Sequence, residues 1–309
     1  MKVIQNLNEI PAIEKIGLTV GNFDGVHLGH HELLKIIKGA CQEKGLKLVV
    51  MTFVPHPLAV LRPNSLQLIN SYEERRSLLE ELNVDYLYEV EFTRDLSLLT
   101  PESFLENYLL SHEGTSALYL GYDFAFGANK EGDYEFAQNY CKGRGVVVEN
   151  CAELKVVDQK VSSTKIREAL NNGDVKKAKL LLGREFFVRA RVTKGAGRGA
   201  QIGFPTANLE NLENRVILQK GVYVTQTRVR GEIFSSVTNV GVNPTFNSDK
   251  EIVRIETYIL DFSCDIYGEE IEILFHSRLR DEKKFSSVEE LKLQIAFDVK
   301  CSYQYFSDD

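Results

Sequence analysis

The stretch Gly21–His30, which reads GNFDGVHLGH, directly follows the apolar run Ile16–Val20 and precedes His31–Lys44, whose apolar residues recur at helical spacing. An apolar run, a glycine-containing turn and an amphipathic segment in this order predict the first strand, turn and helix of a parallel α/β sheet. At such a turn the backbone N–H groups of the helix N-terminus meet the positive end of the helix dipole. The stretch therefore predicts a site for a phosphate group.

Two histidines in this turn, His27 and His30, are three residues apart around the predicted start of the helix, so both can face the same point. There they can donate hydrogen bonds to phosphate oxygens and stabilise the charge that develops as pyrophosphate leaves. Taken alone, the pair leaves two alternatives open, a capped turn with solvent-facing histidines or a metal site. No further cluster of metal ligands accompanies it in the sequence.

Apolar runs and amphipathic segments alternate as far as about residue 160. This alternation indicates βαβ units and hence a doubly wound parallel sheet. The predicted strands are Ile16–Val20, Leu46–Phe53, Val84–Val90, Ala117–Leu120 and Val146–Val148, and the predicted helices are His31–Lys44, Tyr72–Leu82, Phe104–Leu110 and Tyr134–Lys142. Two short helices, Ser162–Leu170 and Val175–Leu182, follow them.

After Gly183 the pattern changes to alternation of apolar and polar residues, without intervening helices. Such spacing predicts an antiparallel barrel or sandwich. A capping box formed by Ser287 and Glu290 predicts one last helix. We therefore predict two domains, residues 1–182 and 183–309. The clearest strands of the second are Gly221–Arg230, Ile233–Val240, Ile252–Leu260 and Glu270–Phe275.

The composition is that of an ordinary globular protein of 309 residues, with 43% hydrophobic and 26% charged residues. The net charge of −7 argues against nucleic acid or an anionic membrane as a partner. No run approaches the length of a membrane span, and no signal sequence is evident. We expect a cytoplasmic protein with small-molecule substrates. The sequence is compatible with a homo-oligomer. The five cysteines are scattered without zinc-site spacing, which predicts reduced thiols and no structural metal: Cys41, Cys141, Cys151, Cys264 and Cys301.

A second phosphate-binding element is predicted at SSTKIR, residues 162–167. The hydroxyls of Ser163 and Thr164 stand at a predicted helix start and are followed by Lys165 and Arg167, a combination suited to clamping a polyphosphate. The alternative is a Ser/Thr helix cap with solvated basic residues. Because the histidine turn stands in the same predicted domain, we favour the phosphate interpretation.

Two further motifs follow predicted strands: FVPHP at 53–57 and GYDFAFG at 121–127. Clustered aromatic residues are often core, but at the carboxyl end of a strand they occupy the usual ligand crevice of an α/β sheet. The turn at 21–30 resembles the H-x-G-H nucleotidylyltransferase superfamily. With the two further motifs, the chain resembles the bacterial bifunctional riboflavin kinase/FAD synthetase family over essentially its whole length.

The stretch Lys194–Asn208, KGAGRGAQIGFPTAN, carries the same resemblance in the second half. Its glycine loop could wrap phosphates with backbone N–H groups and one guanidinium, although a flexible hairpin connection would look similar. The hydroxyl of Thr206 and the amide oxygen of Asn208 could both reach Mg²⁺, which prefers few protein oxygens together with substrate phosphates. GRGxxxGFPTAN is similar to the flavokinase signature.

Glu256 lies in the middle of the strand-like segment Ile252–Leu260, where Arg254, Glu256 and Tyr258 share the face opposite Val253, Ile255 and Ile259. A mid-strand carboxylate could be an outward salt-bridge partner. The resemblance instead implies that Glu256 is the base for the attacking hydroxyl.

The resemblance also implies the fold, the substrates and the remaining site residues. The fold would be a Rossmann-like nucleotidylyltransferase domain followed by an antiparallel β-barrel flavokinase domain with a C-terminal helix. Riboflavin would be phosphorylated to FMN and FMN adenylylated to FAD, with ATP and Mg²⁺ in both steps. We expect ATP and phosphate contacts at Gly21, Phe23, Asp24, Gly25, Gly29, Ser163, Thr164, Arg167, Gly195, Gly197, Arg198 and Gly199, and flavin contacts at Pro55, His56, Asp123, Phe126, Arg280 and Phe285.

Two other functions are compatible with parts of this pattern. An adenylyltransferase could act on another phosphorylated vitamin such as phosphopantetheine or nicotinamide mononucleotide, but PTAN at 205–208 and IETYIL at 255–260 would then have no purpose. A flavin-sensing binding protein could keep the scaffold without the chemistry. The presence of His27, His30, Thr206, Asn208 and Glu256 together argues against that alternative.

Overall fold

A six-stranded, wholly parallel sheet is the centre of the first of two compact units, Met1–Ser162. The computed structural model describes residues 1–63, 65–152, 155–156, 159–195, 197–210, 212, 214–216, 218–243 and 252–307, and describes only the backbone of 155, 156, 159, 160, 198, 242, 243, 252 and 253. The strands are β1 (Lys2–Ile4), β2 (Ile16–Val20), β3 (Lys47–Val54), β4 (Tyr86–Glu91), β5 (Thr115–Gly121) and β6 (Val147–Cys151). A small antiparallel pair follows, β7 (Lys155–Val156) and β8 (Gln159–Lys160).

The order of the strands across the sheet is β1-β4-β3-β2-β5-β6. The chain therefore moves from β2 through β3 to β4 in one direction, and then returns to add β5 and β6 on the other side of β2. The order reverses between β2 and β5, and ligands of α/β sheets bind in the crevice at the carboxyl ends of strands at such a switch point. Our prediction of a doubly wound sheet is confirmed, and the motifs at 21–30, 53–57 and 121–127 follow three neighbouring strands, β2, β3 and β5.

The helices of this unit begin where the sequence carries local capping signals. Ser71 caps the helix Tyr72–Glu81 and forms a capping box with Glu74, and Asp133 caps the helix Tyr134–Cys141. Parallel strands covered on both faces are apolar throughout, and Val49, Val50 and Met51 in the middle of β3 are fully buried. The helices are α1 (Leu28–Glu43), α2 (Pro57–Leu61), α3 (Tyr72–Glu81), α4 (Pro101–Phe104), which continues as a π-helical segment (Leu105–Leu109), and α5 (Tyr134–Cys141).

A closed antiparallel barrel dominates the second unit, Ser163–Asp309, which decides between the barrel and sandwich alternatives. The barrel order is β10-β13-β12-β11-β14-β9. Its strands are β9 (Phe186–Thr193), β10 (Ala207–Leu209), β11 (Gly221–Val229), β12 (Glu232–Asn243), β13 (Ile252–Ile259) and β14 (Glu270–Arg280), and the helices are α6 (Ser163–Asn171), α7 (Val175–Leu182), α8 (Arg198–Gln201) and α9 (Val288–Ser307).

Aromatic and hydroxyl side chains both contribute to the buried parts of the barrel. Tyr223 packs edge-to-face on Phe275 with the ring centroids 5.5 Å apart. Five fully buried hydroxyl side chains on three neighbouring strands bond to one another, so their polar groups are satisfied without water: Thr225, Thr227, Ser236, Thr238 and Thr257.

The two units divide after Ser162, whereas the pattern along the sequence changes near Gly183. The difference arises because α7 packs on β9 and β14 and buries Val175, Leu181 and Leu182. The division of activities at residue 183 therefore stays a prediction. Among the helices that the structure describes, none is both long and apolar enough to cross a membrane.

Candidate active sites

The histidine turn brings its two imidazole rings into parallel contact. The rings of His27 and His30 stack with centroids 3.7 Å apart and an angle of 10° between their planes. Nδ1 of His27 accepts the backbone N–H of His30, and Nδ1 of His30 accepts that of His27, each at 3.3 Å. Because both Nδ1 atoms are acceptors, the proton of each neutral ring is on Nε2. The reciprocal cap of α1 thus leaves both rings with an Nε2–H donor.

The backbone between β2 and α1 is strained. Phe23 and Val26 have positive φ angles of 48° and 36°, and Gly25 between them has φ 87°. Non-glycine residues in this region cost about 1–3 kcal/mol each and persist only where the surroundings hold them. The buried carboxylate of Asp24 is part of that support, because it accepts the backbone N–H of Ile69 at 3.0 Å.

Close contacts favour glycine at two further positions of this turn. A Cβ at Gly21 would lie 2.9 Å from the ring of Phe23, and one at Gly29 would lie 3.3 Å from the ring of His27. The predicted ATP contacts Gly21, Phe23, Asp24, Gly25 and Gly29 therefore form one tightly packed loop. Which of them touch ATP stays a prediction.

The predicted flavin residues of the first unit lie at the carboxyl ends of β3 and β5. Pro55 and His56 follow β3, and His56 caps α2 by accepting the backbone N–H of Leu58 at Nδ1. Asp123 is exposed beyond β5. Phe126 is 5% exposed and its ring packs on those of Phe104, Phe124 and Phe136. Phe126 is thus part of the core, and its direct contact with flavin remains a prediction.

Ser163, Thr164 and Arg167 belong to the first two turns of α6 in the second unit. The helix buries Ile166, Ala169 and Leu170. The predicted phosphate ligands stand outside that buried face, and Thr164 is exposed. Their place at a helix N-terminus is as predicted, and their role in binding ATP is untested.

In the barrel, the glycine loop is in contact with the PTAN segment. A methyl group at Gly195 would overlap the side-chain amide of Asn208, and one at Gly199 would overlap the carbonyl of Phe204 and lie 3.4 Å from Oγ1 of Thr206. The amide nitrogen of Asn208 donates to the backbone carbonyl of Thr206 at 3.4 Å. Gly197 has φ 69°, whereas Ala196 and the side chain of Arg198 lie outside the described residues.

Three polar residues form one row across neighbouring strands. Glu256 on β13 is the cross-strand partner of Asn208 on β10 and of Asn239 on β12. Side chains at directly opposed positions lie about 4.5–5.5 Å apart at Cβ. The register therefore brings the predicted base beside a predicted metal ligand.

Glu256 is half-exposed, and its Oε1 lies 3.4 Å from Nη1 of Arg254. Ile255, Thr257 and Ile259 are buried on the other face, so the predicted division of β13 into two faces is confirmed for the residues whose side chains are described. Among the described residues no group of three His, Cys, Asp or Glu side chains could hold a metal ion. A hydroxyl, an amide oxygen and substrate phosphates constitute a different set of ligands, which suits Mg²⁺.

Arg280 is the last residue of β14, and Phe285 lies between β14 and α9. The guanidinium of Arg280 makes a bidentate pair with Asp298, in which Nη2 donates to Oδ2 at 2.6 Å and Nε donates to Oδ1 at 3.0 Å. Its Nη1 donates to the carbonyl of Asp281, and its centre lies 6.0 Å from the ring of Phe285. Arg280 is thus engaged in anchoring α9, and its predicted contact with flavin is untested.

Sequence reasoning missed Arg75, which contacts the histidine turn. Arg75 is 2% exposed in α3 and donates from Nη1 to the carbonyl of Asn22 at 3.1 Å. Burial lowers the pKa of its guanidinium, and the carboxylate of Glu89 acts in the opposite direction. Arg75 lies three and four residues before Leu78 and Leu79, and this helical spacing indicates that it shares their buried face. The amide of Asn239, the cross-strand neighbour of Glu256, donates to Glu282 at 3.2 Å.

Comparison with known proteins matches one family to the first part of the chain and another to the second part. The family described as FAD synthetase matches residues 10–165, and the family described as riboflavin kinase matches residues 182–306. The bifunctional riboflavin kinase/FMN adenylyltransferase of Bacillus subtilis is 37% identical over 94% of this chain and 92% of its own length. The chain belongs to the bifunctional riboflavin kinase/FMN adenylyltransferase family. It is an enzyme that converts riboflavin to FMN and FMN to FAD.

Two further similarities cover nearly the whole length of this chain. The protein of the same name from Haemophilus influenzae is 35% identical over 99% of this chain and all of its own. A crystal structure described as a macrolide-efflux protein from Streptococcus pneumoniae is 33% identical, with a TM-score of 0.87 over 97% of this chain and 98% of that chain. The matches to both halves leave no place for the alternative in which only an adenylyltransferase is present.

Proposed function

We propose that adenylyl transfer takes place at the histidine turn. The reciprocal cap of His27 and His30 carries this assignment. The phosphate oxygen of FMN attacks the α-phosphorus of ATP, the bond between the α-phosphorus and the bridging oxygen breaks, and pyrophosphate leaves. The negative charge grows on the leaving oxygens, and the two Nε2–H donors stabilise it where it develops. The stacked rings support a joint role, because their planes differ by 10° only.

We also propose roles in binding ATP and flavin for the other predicted site residues, and these roles rest on the motifs of the sequence. Backbone N–H groups of the loop at 21–29 bind the phosphates of ATP in the first unit. Ser163, Thr164 and Arg167, at the start of α6 in the second unit, stay predicted phosphate ligands on the basis of the SSTKIR motif. Pro55, His56, Asp123 and Phe126 form the flavin side. The support for this is that they lie in the loops that follow β3 and β5. The acceptor is already a nucleophile, so no covalent enzyme intermediate is needed.

We propose that the barrel transfers the γ-phosphoryl group of ATP to the 5′-hydroxyl of riboflavin. Glu256 takes the proton of this hydroxyl as the oxygen attacks the γ-phosphorus, and ADP leaves. Thr206 and Asn208 would hold Mg²⁺, which neutralises charge on the phosphates when bound. The row of Asn208 and Glu256 on adjacent strands is the observation that supports this site. Gly195, Gly197, Arg198 and Gly199 would wrap the phosphates, and Arg280 and Phe285 would border the flavin.

The proposal is tested by separating the products formed from riboflavin, ATP and Mg²⁺ by chromatography. We expect FMN first and FAD after it, with one ADP and one pyrophosphate per FAD. Omission of Mg²⁺ should stop both steps. Bound but unchanged riboflavin would contradict an enzymatic role for the sites, and FMN without FAD would contradict the assignment of the first unit. Since ATP is the donor in both steps, we also propose the cytoplasm as the location.

The two activities are expected to be separable, and the structure indicates where to cut. A fragment that begins at Ser163 retains α7, which packs on β9 and β14, whereas one that begins at Leu182 loses the buried Val175 and Leu181. Each buried aliphatic side chain contributes about 1.5–3 kcal/mol. We expect both fragments to make FMN and no FAD, and the shorter one to unfold at a lower temperature in a calorimetric scan. A folded fragment without FMN formation would show that the activities are divided differently.

Gly195→Ala is expected to weaken the kinase through its predicted metal ligand. The added methyl group must displace the amide of Asn208, which a Cβ at this position would overlap. Disturbing the orientation of a metal ligand typically costs about 10–100-fold in metal affinity or activity. FMN formation should require more Mg²⁺, whereas FAD formation from supplied FMN should be parental in the same sample. An unchanged Mg²⁺ dependence would argue against Asn208 as a ligand.

A further inference from the structure

The strained turn at residues 22–26 is held at two points by one short segment, Ile69–Arg75, which consists of the residues before α3 and the first turn of that helix. The carboxylate of Asp24 accepts the backbone N–H of Ile69 at 3.0 Å. The backbone carbonyl of Asn22 accepts a hydrogen bond from Nη1 of Arg75 at 3.1 Å. These contacts join positions that are 45 and 53 residues apart in the chain.

The same segment also holds the second predicted substrate loop of the unit. The hydroxyl of Tyr72 accepts the backbone N–H of His56 at 2.8 Å, and the guanidinium of Arg75 lies over the ring of Tyr72 at 5.0 Å. The loop after β2, which carries the histidines, and the loop after β3, which carries the predicted flavin residues, are thus tied to one helix turn.

We propose that Arg75 is a positioning residue for adenylyl transfer, which fixes the histidine turn through the carbonyl of Asn22 and, by stacking on Tyr72, keeps that turn in register with the loop at His56. The inference rests on the proposed role of the histidine turn. Arg75 acts through the backbone of the turn, and it is the imidazoles of His27 and His30 that meet the phosphates.

Three observations favour positioning over a purely structural ion pair. A buried guanidinium could be satisfied by carboxylates alone, but Nη2 of Arg75 lies 3.6 Å from Glu89, while Nη1 makes the closer contact with Asn22. Glu89 already has a bidentate partner in Arg76, with Nη2 and Oε2 2.5 Å apart. The turn that Arg75 contacts holds two non-glycine residues at positive φ, a conformation that persists only under external support.

Arg75 and Arg76 provide a matched pair of variants. Each arginine lies beside Glu89, but the contact with Asn22 belongs to Arg75, and the side chain of Arg76 is 39% exposed. Arg75→Met and Arg76→Met each remove one cation next to the same carboxylate. If the ion pair alone matters, the two variants should have similar effects. If Arg75 positions the turn, Arg75→Met should reduce FAD formation much more than Arg76→Met.

The experiment measures FAD formation from FMN, FMN formation from riboflavin, and thermal unfolding on the same full-length sample. For Arg75→Met we expect kcat for FAD to fall about 10²-fold per folded molecule, because misplacement by about 1 Å costs this much. The KM values for ATP and FMN should change far less than kcat, since the loss concerns the transition state. FMN formation should be parental, and Arg76→Met should stay within about twofold in both activities.

Thr52→Val gives a second measurement at the same carbonyl, since Oγ1 of Thr52 also approaches the oxygen of Asn22, at 3.4 Å. If both side chains act through Asn22, the double variant Thr52→Val/Arg75→Met should lose less activity than the two single losses multiplied. Multiplicative losses would overturn a shared action on this carbonyl.

Should Arg75→Met fail to fold, Arg75→Lys carries the test. It keeps the buried charge, but a single ammonium group lacks the planar fork that serves Asn22 and Glu89 together. We expect a folded protein with reduced kcat for FAD and parental FMN formation. Parental kcat for FAD in Arg75→Lys would overturn the proposal, as would equal losses in Arg75→Met and Arg76→Met.

The failure of this inference can be told apart from the failure of the proposed function. If the variant His27→Ala/His30→Ala loses FAD formation while Arg75→Met keeps it, the site stands and the positioning role falls. If the histidine variant also keeps FAD formation, the assignment of the site itself falls, and the inference falls with it.

Discussion

The variant His27→Ala/His30→Ala is expected to accumulate FMN and to form FAD at a rate reduced by at least about 10²-fold. Loss of one preorganised donor to a developing negative charge typically costs about 2.7–4 kcal/mol, a rate factor of about 10²–10³. The two rings cap each other through Nδ1 and therefore act as a unit, so the two losses should not simply multiply. The rates of FMN and FAD formation, followed by chromatography, give both numbers from one reaction.

The double variant also removes the cap of α1, and this second effect needs its own control. Substitution of an N-cap residue by alanine costs about 0.5–2 kcal/mol of stability. His27→Asn keeps an acceptor for the backbone N–H of His30, so α1 stays capped, but the Nε2–H donor is lost. If FAD formation is lost in His27→Asn while its melting temperature is near parental, the imidazole itself is needed. Near-normal FAD synthesis in the double variant would contradict the leaving-group role.

What the sequence predicts well in this protein is what local signals determine. The strand, turn and helix around Gly21–His30 follow from an apolar run, glycines and helical periodicity, and α1 begins at Leu28 within that stretch. Antiparallel strands in the second half follow from alternation along each strand, whereas their closure into a barrel and the register that places Glu256 beside Asn208 come from the structure. The three-residue strand β1 was missed because Lys2–Ile4 is too short to show a pattern.

What the sequence could not predict depends on contacts between distant segments. Arg75 and Asn22 meet because α3 packs near the turn after β2, and no spacing of residues along the chain indicates this contact. Asp24 is 4% exposed, and its carboxylate accepts backbone N–H groups of the segment that precedes α3, a contact that the sequence does not indicate. Its predicted contact with ATP stays a prediction. The guanidinium of Arg280 pairs with Asp298 on α9, a partner 18 residues away that the motif does not include, and its predicted contact with flavin stays a prediction.

Substitution of Glu256 separates a catalytic base from a structural carboxylate. Its visible ion pair is with Arg254, and the two side chains are 31% and 43% exposed, so the pair should contribute about 0–1 kcal/mol to stability. Glu256→Gln keeps the shape and removes the base. Loss of a general base typically costs about 10²–10⁴-fold in rate. A merely structural role would instead predict a small change in melting temperature and parental turnover.

The measurement is kcat for FMN formation, together with riboflavin affinity and thermal unfolding on the same sample. Riboflavin and ATP should still bind to Glu256→Gln, because Thr206, Asn208 and the glycine loop are unchanged. Glu232→Gln, at the exposed start of β12, is the matched control and should retain parental kcat. Supplied with FMN, Glu256→Gln should make FAD at the parental rate, since that step is assigned to the histidine turn. Parental FMN turnover would mean that the hydroxyl loses its proton without help from Glu256, and the row of Asn208 and Glu256 would then serve binding alone.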